Sequence, residues 1–249
     1  MGPKSVSKSS KSASNSTNSH GNNVQLQEQY NVLLTSFSSG VSLDISWRIS
    51  QLQGIKQLLK DHESEIAHAL HHDLGRSEFE SIALELFPVY IEIEDCIANV
   101  WKWSQPDLCG APLGMMPATS EIRKEPMGLS LIIGAFNYPI NLTMVPLCGA
   151  ISAGCCVLLK PSEMSTQCEK LIFNAIMSGK YVDTNCIQVC TGGVEETTFL
   201  LNELKWDKIF FTGSPRVGKI VMKAASQNLT SVTLVSSSIR LSLSNFKKE

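Results

Sequence analysis

From Gly128 to Leu159 the chain carries no charged side chain, and this limits its possible folds more than any other feature. An apolar run of about 20 residues can cross a bilayer, so a membrane span is the first candidate. Gly134, Asn137, Tyr138, Pro139, Asn141 and Pro146 interrupt the run. In lipid they would break a helix and free backbone groups that nothing there can satisfy. A buried βαβ unit accommodates the same residues. Leu129–Ile133 is predicted as a strand between two glycines, Asn141–Ala153 as a helix stopped by Gly154, and Cys155–Leu159 as a second strand. Strands apolar along their whole length are covered on both faces, as in a parallel sheet under helices. Polar residues then gather just beyond the strands: Asn137 after the first, and Lys160, Ser162 and Glu163 after the second. Ligands of open parallel sheets bind at that carboxyl edge.

The alternation continues downstream. Gln167–Met177 reads as helix, Cys186–Cys190 as strand, Glu195–Leu204 as helix and Lys208–Phe211 as strand. This order predicts an α/β fold with a doubly wound, Rossmann-like parallel sheet. Thr212-Gly213-Ser214-Pro215-Arg216-Val217-Gly218 follows directly. Ser214 suits an N-cap and Pro215 the first helical position. A helix to about Ser226 is expected, its amino end and positive dipole aimed above the sheet. Gly213 lets the backbone approach a ligand there. A pyrophosphate suits this place, but the motif is neither GxGxxG nor a Walker loop, and by pattern alone a plain strand–turn–helix fits equally. Leu229–Leu234 is the last expected strand.

Ahead of the sheet, residues 42–104 read as a helical layer. Ile45, Ile49, Leu52, Ile55, Leu58 and Leu59 recur at helical spacing. A second helix, Ser64–Leu74, should end at Gly75. A third, Glu78–Trp103, carries Ile82, Leu86, Tyr90, Ile93 and Ile97 on one stripe, with Pro88 set to kink or break it. His68, His71 and His72 have a spacing that could hold a metal, but a solvated helix face explains them better, and no metal site is expected. Pro106–Pro117 reads as loop and Thr119–Lys124 as an edge strand. Residues 1–23 are rich in Ser and Asn and nearly devoid of apolar side chains, so a disordered tail is expected. They lack the Arg and amphipathic face of a transit peptide, and Val6 stands where a myristoylation start needs Ser or Thr.

A formal charge of −2 gives no electrostatic case for nucleic acid. The 8 cysteines form no CxxC pair and no signal peptide precedes them, so reduced thiols and a cytoplasmic setting are expected.

Glu125-Pro126-Met127-Gly128, Asn137-Tyr138-Pro139 and Leu158-Leu159-Lys160-Pro161-Ser162-Glu163 resemble motifs of the aldehyde dehydrogenase superfamily, and most closely its class 3 branch. Asp73-Leu74-Gly75-Arg76-Ser77, Thr191-Gly192-Gly193-Val194-Glu195-Glu196-Thr197 and Phe211-Thr212-Gly213-Ser214 with Gly218-Lys219 continue the resemblance, from about Val41 to Leu234. The resemblance implies NAD(P)-dependent oxidation of an aldehyde to a carboxylic acid. A cysteine thiolate attacks the carbonyl, donors hold the oxyanion, a nicotinamide takes the hydride and a base activates water. It makes Asn137 the oxyanion donor. It makes Lys160, Ser162, Glu163, Gly213, Ser214 and Gly218 contacts of NAD or NADP. It makes residues 106–125 part of an arm through which subunits pair.

The resemblance ends abruptly. The base position holds Val235, Ser237 and Ser238 stand in place of a glycine pair, and no cysteine has the nucleophile's context. Cys155 and Cys156 lie in a buried apolar strand, which raises thiol pKa. The reading is therefore a 24–234 cofactor-binding domain cut before the catalytic domain, followed by a divergent 235–249 tail and unable to oxidise aldehydes alone. The alternative is a noncatalytic dinucleotide-binding or partner-binding protein that pairs with a full-length relative.

Overall fold

The computed structural model describes residues 13–236. Helices α1 (Ala13–Ser38), α2 (Ile45–Asp61), α3 (Glu63–Leu74), α4 (Glu78–Ser81) and α5 (Phe87–Trp103) come first. A short antiparallel pair, β1 (Asp107–Cys109) with β2 (Ser120–Ile122), stands apart from the main sheet. The remainder alternates: β3 (Leu129–Ile133), α6 (Asn141–Ser152), β4 (Cys156–Lys160), α7 (Thr166–Met177), β5 (Ile187–Val189), α8 (Val194–Asn202), β6 (Lys208–Gly213), α9 (Pro215–Ala225) and β7 (Ser231–Ser236).

The five later strands form one parallel sheet in the order β5-β4-β3-β6-β7. The chain winds outward from β3 through β4 to β5, then crosses back beside β3 into β6 and β7. This is the doubly wound topology expected, with its switch point between β3 and β6. Every residue of β3, β4 and β5 is buried. Gly154 ends the α6 turn at φ +82°, and a Cβ there would meet the buried Arg48 guanidinium at 2.6 Å. Arg48 donates from Nε to the Ser42 carbonyl at 2.8 Å and from Nη1 to the Ser152 carbonyl at 3.0 Å, tying α2 to α6.

The amino-terminal region differs from expectation. Residues 13–23, read as disordered tail, are helical as the start of α1. Further along, α1 buries Leu26 and Leu33, Gln29 donates to the Val189 carbonyl at 3.0 Å, and Tyr30 donates to the Lys205 carbonyl at 2.7 Å. Docking on the sheet sets this helix, and its polar first turns carry no apolar signal of their own. Residues 1–12 lie outside the description.

The expected break near Pro88 is a π turn over Ile82–Leu86, in which the Phe87 N–H reaches the Ile82 carbonyl. The turn rotates the helix face. The buried stripe becomes Leu86, Val89, Ile93, Cys96 and Val100, with Ile82, Tyr90 and Ile97 partly buried beside it. Asp107–Cys109 was expected as loop and is a strand, because it pairs with the extended segment read downstream of it. The last strand, expected over Leu229–Leu234, is Ser231–Ser236, with Val235 and Ser236 opposite Thr212 and Gly213. Ser237 and the residues beyond it lie outside the description.

Candidate cofactor site

The register of the sheet builds the site. Ile133 is level with Lys160 on one side and with Phe211 on the other. The carboxyl ends of β3, β4 and β6 therefore form one edge at the switch point, and the Gly134 N–H donates across it to the Lys160 carbonyl at 3.0 Å. Asn137 follows β3, Lys160 closes β4, and Gly213 and Ser214 lead from β6 into α9.

Lys160 is buried to 2% exposure, and its ammonium donates to Glu163 Oε2 at 2.8 Å and to the Pro161 carbonyl at 3.0 Å. Burial pushes the Glu163 carboxyl up, but the hydrogen bond from Lys160 and its charge outweigh this and hold it below the usual value. Two further carboxylates feel the same ammonium, and both brace the neighbouring loop. Glu169 accepts from the Gly192 N–H at 3.2 Å and Glu196 from the Gly193 N–H at 2.8 Å. Ser162 Oγ accepts from the Met164 N–H at 3.3 Å and turns the chain after Lys160.

Helix amino ends at this edge are distinguished by what already occupies them. Glu85 accepts from the Ile140 and Asn141 N–H groups at 3.2 and 2.8 Å, filling the start of α6. Asp73 accepts from Gln167 and Cys168 at 2.9 and 3.0 Å, filling the start of α7. Glu195 and Glu196 sit in the first turn of α8. The first turn of α9 has no acidic residue and carries Arg216. Ser214 accepts from the Val217 N–H at 3.4 Å, a long bond, and Pro215 has no N–H to offer. The Arg216 amide is thus the first-turn donor that no bond within the helix takes.

The glycines take roles beyond those read from sequence. A Cβ on Gly213 would lie 2.4 Å from the Phe211 ring, so any larger residue there would have to displace that ring. Gly218 is buried inside α9, its N–H bonded to the Ser214 carbonyl at 2.9 Å, and a Cβ on it would sit 3.4 Å from Leu234. It seats the helix on β7. Val235 lies on the edge strand opposite Thr212.

The edge suits a polar ligand. Three buried side-chain polar atoms lack a hydrogen-bond partner among the described residues, and two of them, Asn137 Oδ1 and Thr212 Oγ1, are here. Sequence reasoning did not find Arg76, Glu85 and Asp73 as parts of this edge. All eight thiols are free and seven are buried; Cys109, on the hairpin, is partly exposed. Burial raises Cys96 to about 11 and Cys190 to about 12.

These features define a doubly wound α/β domain with a polar site at its topological switch point. The aldehyde dehydrogenase family model matches residues 17–238, and the chain belongs to that family. Among its relatives, aldehyde dehydrogenase family 3 member B3 of Mus musculus is 44% identical over 208 residues, covering 84% of this chain and 43% of the relative. The family 3 protein comG of Dictyostelium discoideum is 43% identical, covering 80% of this chain and 42% of the relative. The chain thus spans less than half the length of either. The substrate-bound structure of Staphylococcus aureus AldH superposes with a TM-score of 0.81 at 39% identity, over 84% of this chain and 45% of that one. A Methanocaldococcus jannaschii GapN structure complexed with NADP shares the fold at a TM-score of 0.71 and 22% identity.

Proposed function

We propose that this chain is the cofactor-binding part of an NAD(P)-dependent aldehyde dehydrogenase and binds a nicotinamide dinucleotide at the carboxyl edge of β3, β4 and β6. The observation that carries this is the convergence, in one register, of buried Lys160, the carboxylate-free start of α9 and the loop of Asn137. Lys160 and Glu163 suit ribose hydroxyls, and the Arg216 amide with the α9 dipole suits a pyrophosphate. Ser162, Gly213 and Ser214 shape the turns between them. The dinucleotide supplies a hydride acceptor, and Asn137 would steady the oxyanion of an aldehyde adduct. The carboxylates around Lys160 favour NAD over the 2′-phosphate of NADP.

Aldehyde oxidation also needs an activated thiol and a base. None of the cysteines lies at this edge in a polar, accessible setting, and valine at 235 moves no proton. The 249 residues by themselves therefore bind the dinucleotide without turning over aldehyde, and the β1–β2 hairpin is the candidate subunit-pairing arm. Free thiols fit a reducing compartment such as the cytoplasm, and no helix among the described residues is long and apolar enough to cross a membrane.

Calorimetric titration with NAD and NADP tests the reading. Lys160→Met should weaken NAD about 10- to 100-fold, the worth of charged hydrogen bonds. Equal affinities for wild type and a folded Lys160→Met chain would refute the assignment.

A further inference from the structure

Asn137 is the candidate oxyanion donor, yet its carboxamide oxygen is buried without a hydrogen-bond partner among the described residues. The orientation of that side chain is set by its backbone, and one ion pair grips that backbone. Arg76, in the junction between α3 and α4, donates from Nη2 to the Asn137 carbonyl. Its guanidinium lies over the Tyr138 ring, 4.2 Å from the centroid. Nη1 pairs with Glu85, whose side chain is fully buried in the π turn. Glu85 then accepts the Ile140 and Asn141 N–H groups through its other oxygen. Residues 137, 138, 140 and 141 are all held by two side chains from the helical layer. A planar guanidinium shared between a carboxylate and a backbone carbonyl fixes direction as well as distance.

We propose that Arg76 and Glu85 are positioning residues for Asn137, fixing its carboxamide through the backbone of the 137–141 loop; this rests on reading Asn137 as the oxyanion donor. The π turn is part of the device. Its extra residue brings Glu85 to the buried side of the helix, opposite the start of α6, while Phe87 and Leu84 stay exposed. Burial raises the Glu85 carboxyl to about 7 against the pull of the Asn141 N–H and Arg76, so the loop experiences a change of charge near neutrality. The other charged or titratable groups around the pair are Tyr138 under the guanidinium, Cys168 on α7, Glu78 and Glu80 on α4, and on α3 His68, Asp73 and His71, the last bonding the Arg76 carbonyl at 2.9 Å.

The test is NMR of the whole chain labelled with 15N-asparagine, the Asn137 carboxamide being assigned by its loss in Asn137→Asp. In wild type it should follow a titration near neutral pH. In Glu85→Gln that response should vanish, while His71→Gln keeps it. In Arg76→Gln the carboxamide should shift and broaden, while Asn185 and Asn202 stay in place. Arg76→Lys, which keeps the charge but not the fork, should keep the titration without restoring the position. Hydrogen exchange at Asn141 should quicken about 10- to 100-fold in Glu85→Gln, as expected for a lost charged hydrogen bond. If Glu85→Gln does not fold, the two Arg76 variants decide alone. An unmoved carboxamide in a folded Arg76→Gln chain overturns the proposal, as does a pH response that persists in Glu85→Gln and disappears in His71→Gln. Failure of the wild type to bind any dinucleotide would instead defeat the cofactor reading and leave this result standing.

Discussion

Glu85 should make the stability of this chain fall between about pH 4.5 and 7. Its carboxyl is buried in the π turn and raised from 4.5 to about 7, with desolvation the largest cause and the Asn141 N–H and Arg76 opposing it. A group whose folded pKa lies above its unfolded value contributes most at a pH below both. That contribution is lost as the unfolded chain ionises and the folded one does not, and the loss ends once pH passes the folded value. Each pKa unit corresponds to 1.36 kcal/mol, so the change is about 3 kcal/mol. Urea unfolding of wild type and Glu85→Gln, from pH 4 to pH 8.5, isolates the effect because every other group cancels in the difference. The wild-type advantage should shrink by about 3 kcal/mol across the window and then level off. A difference that grows with pH would refute the reasoning. It would mean that Arg76 and the two N–H donors outweigh burial and hold the carboxyl below its usual value.

Two further outcomes follow from the packing. Gly154→Ala places a Cβ 2.6 Å from the Arg48 guanidinium at φ +82°, so it should destabilise the chain by about 2 kcal/mol or more in the same unfolding assay. Thiol titration of the native chain should find Cys109 alone reacting quickly, since the other seven thiols are buried, and all eight reacting once it is unfolded.

Much of this fold is legible in the residues. Leu129–Ile133 and Cys155–Leu159 announce a parallel sheet because both their faces are covered, which leaves near-continuous apolar runs. Ser214 and Pro215 announce the start of α9 because capping is local chemistry. The start of α1 is not legible, since its first turns carry no apolar periodicity and its contacts are made further along with residues more than 150 positions away. The supports of the site are equally hidden. Asp73 caps a helix 94 residues downstream, and Arg76 reaches across 61 residues to Asn137. Such pairings leave no periodic trace in the sequence. Glu196 was the exception within reach: it stands three residues after Gly193, at a capping position, and binds that residue's N–H.

The central claim is that a nicotinamide dinucleotide lies at the carboxyl edge of β3, β4 and β6. A crystal structure of the chain soaked with NAD tests it most directly. Pyrophosphate density is expected against the Arg216 amide at the start of α9, and a ribose between Lys160 and Glu163. Density elsewhere, such as the open groove between α3 and α7 lined by His68, His72 and Lys170, or an edge left empty at saturating NAD, would contradict it.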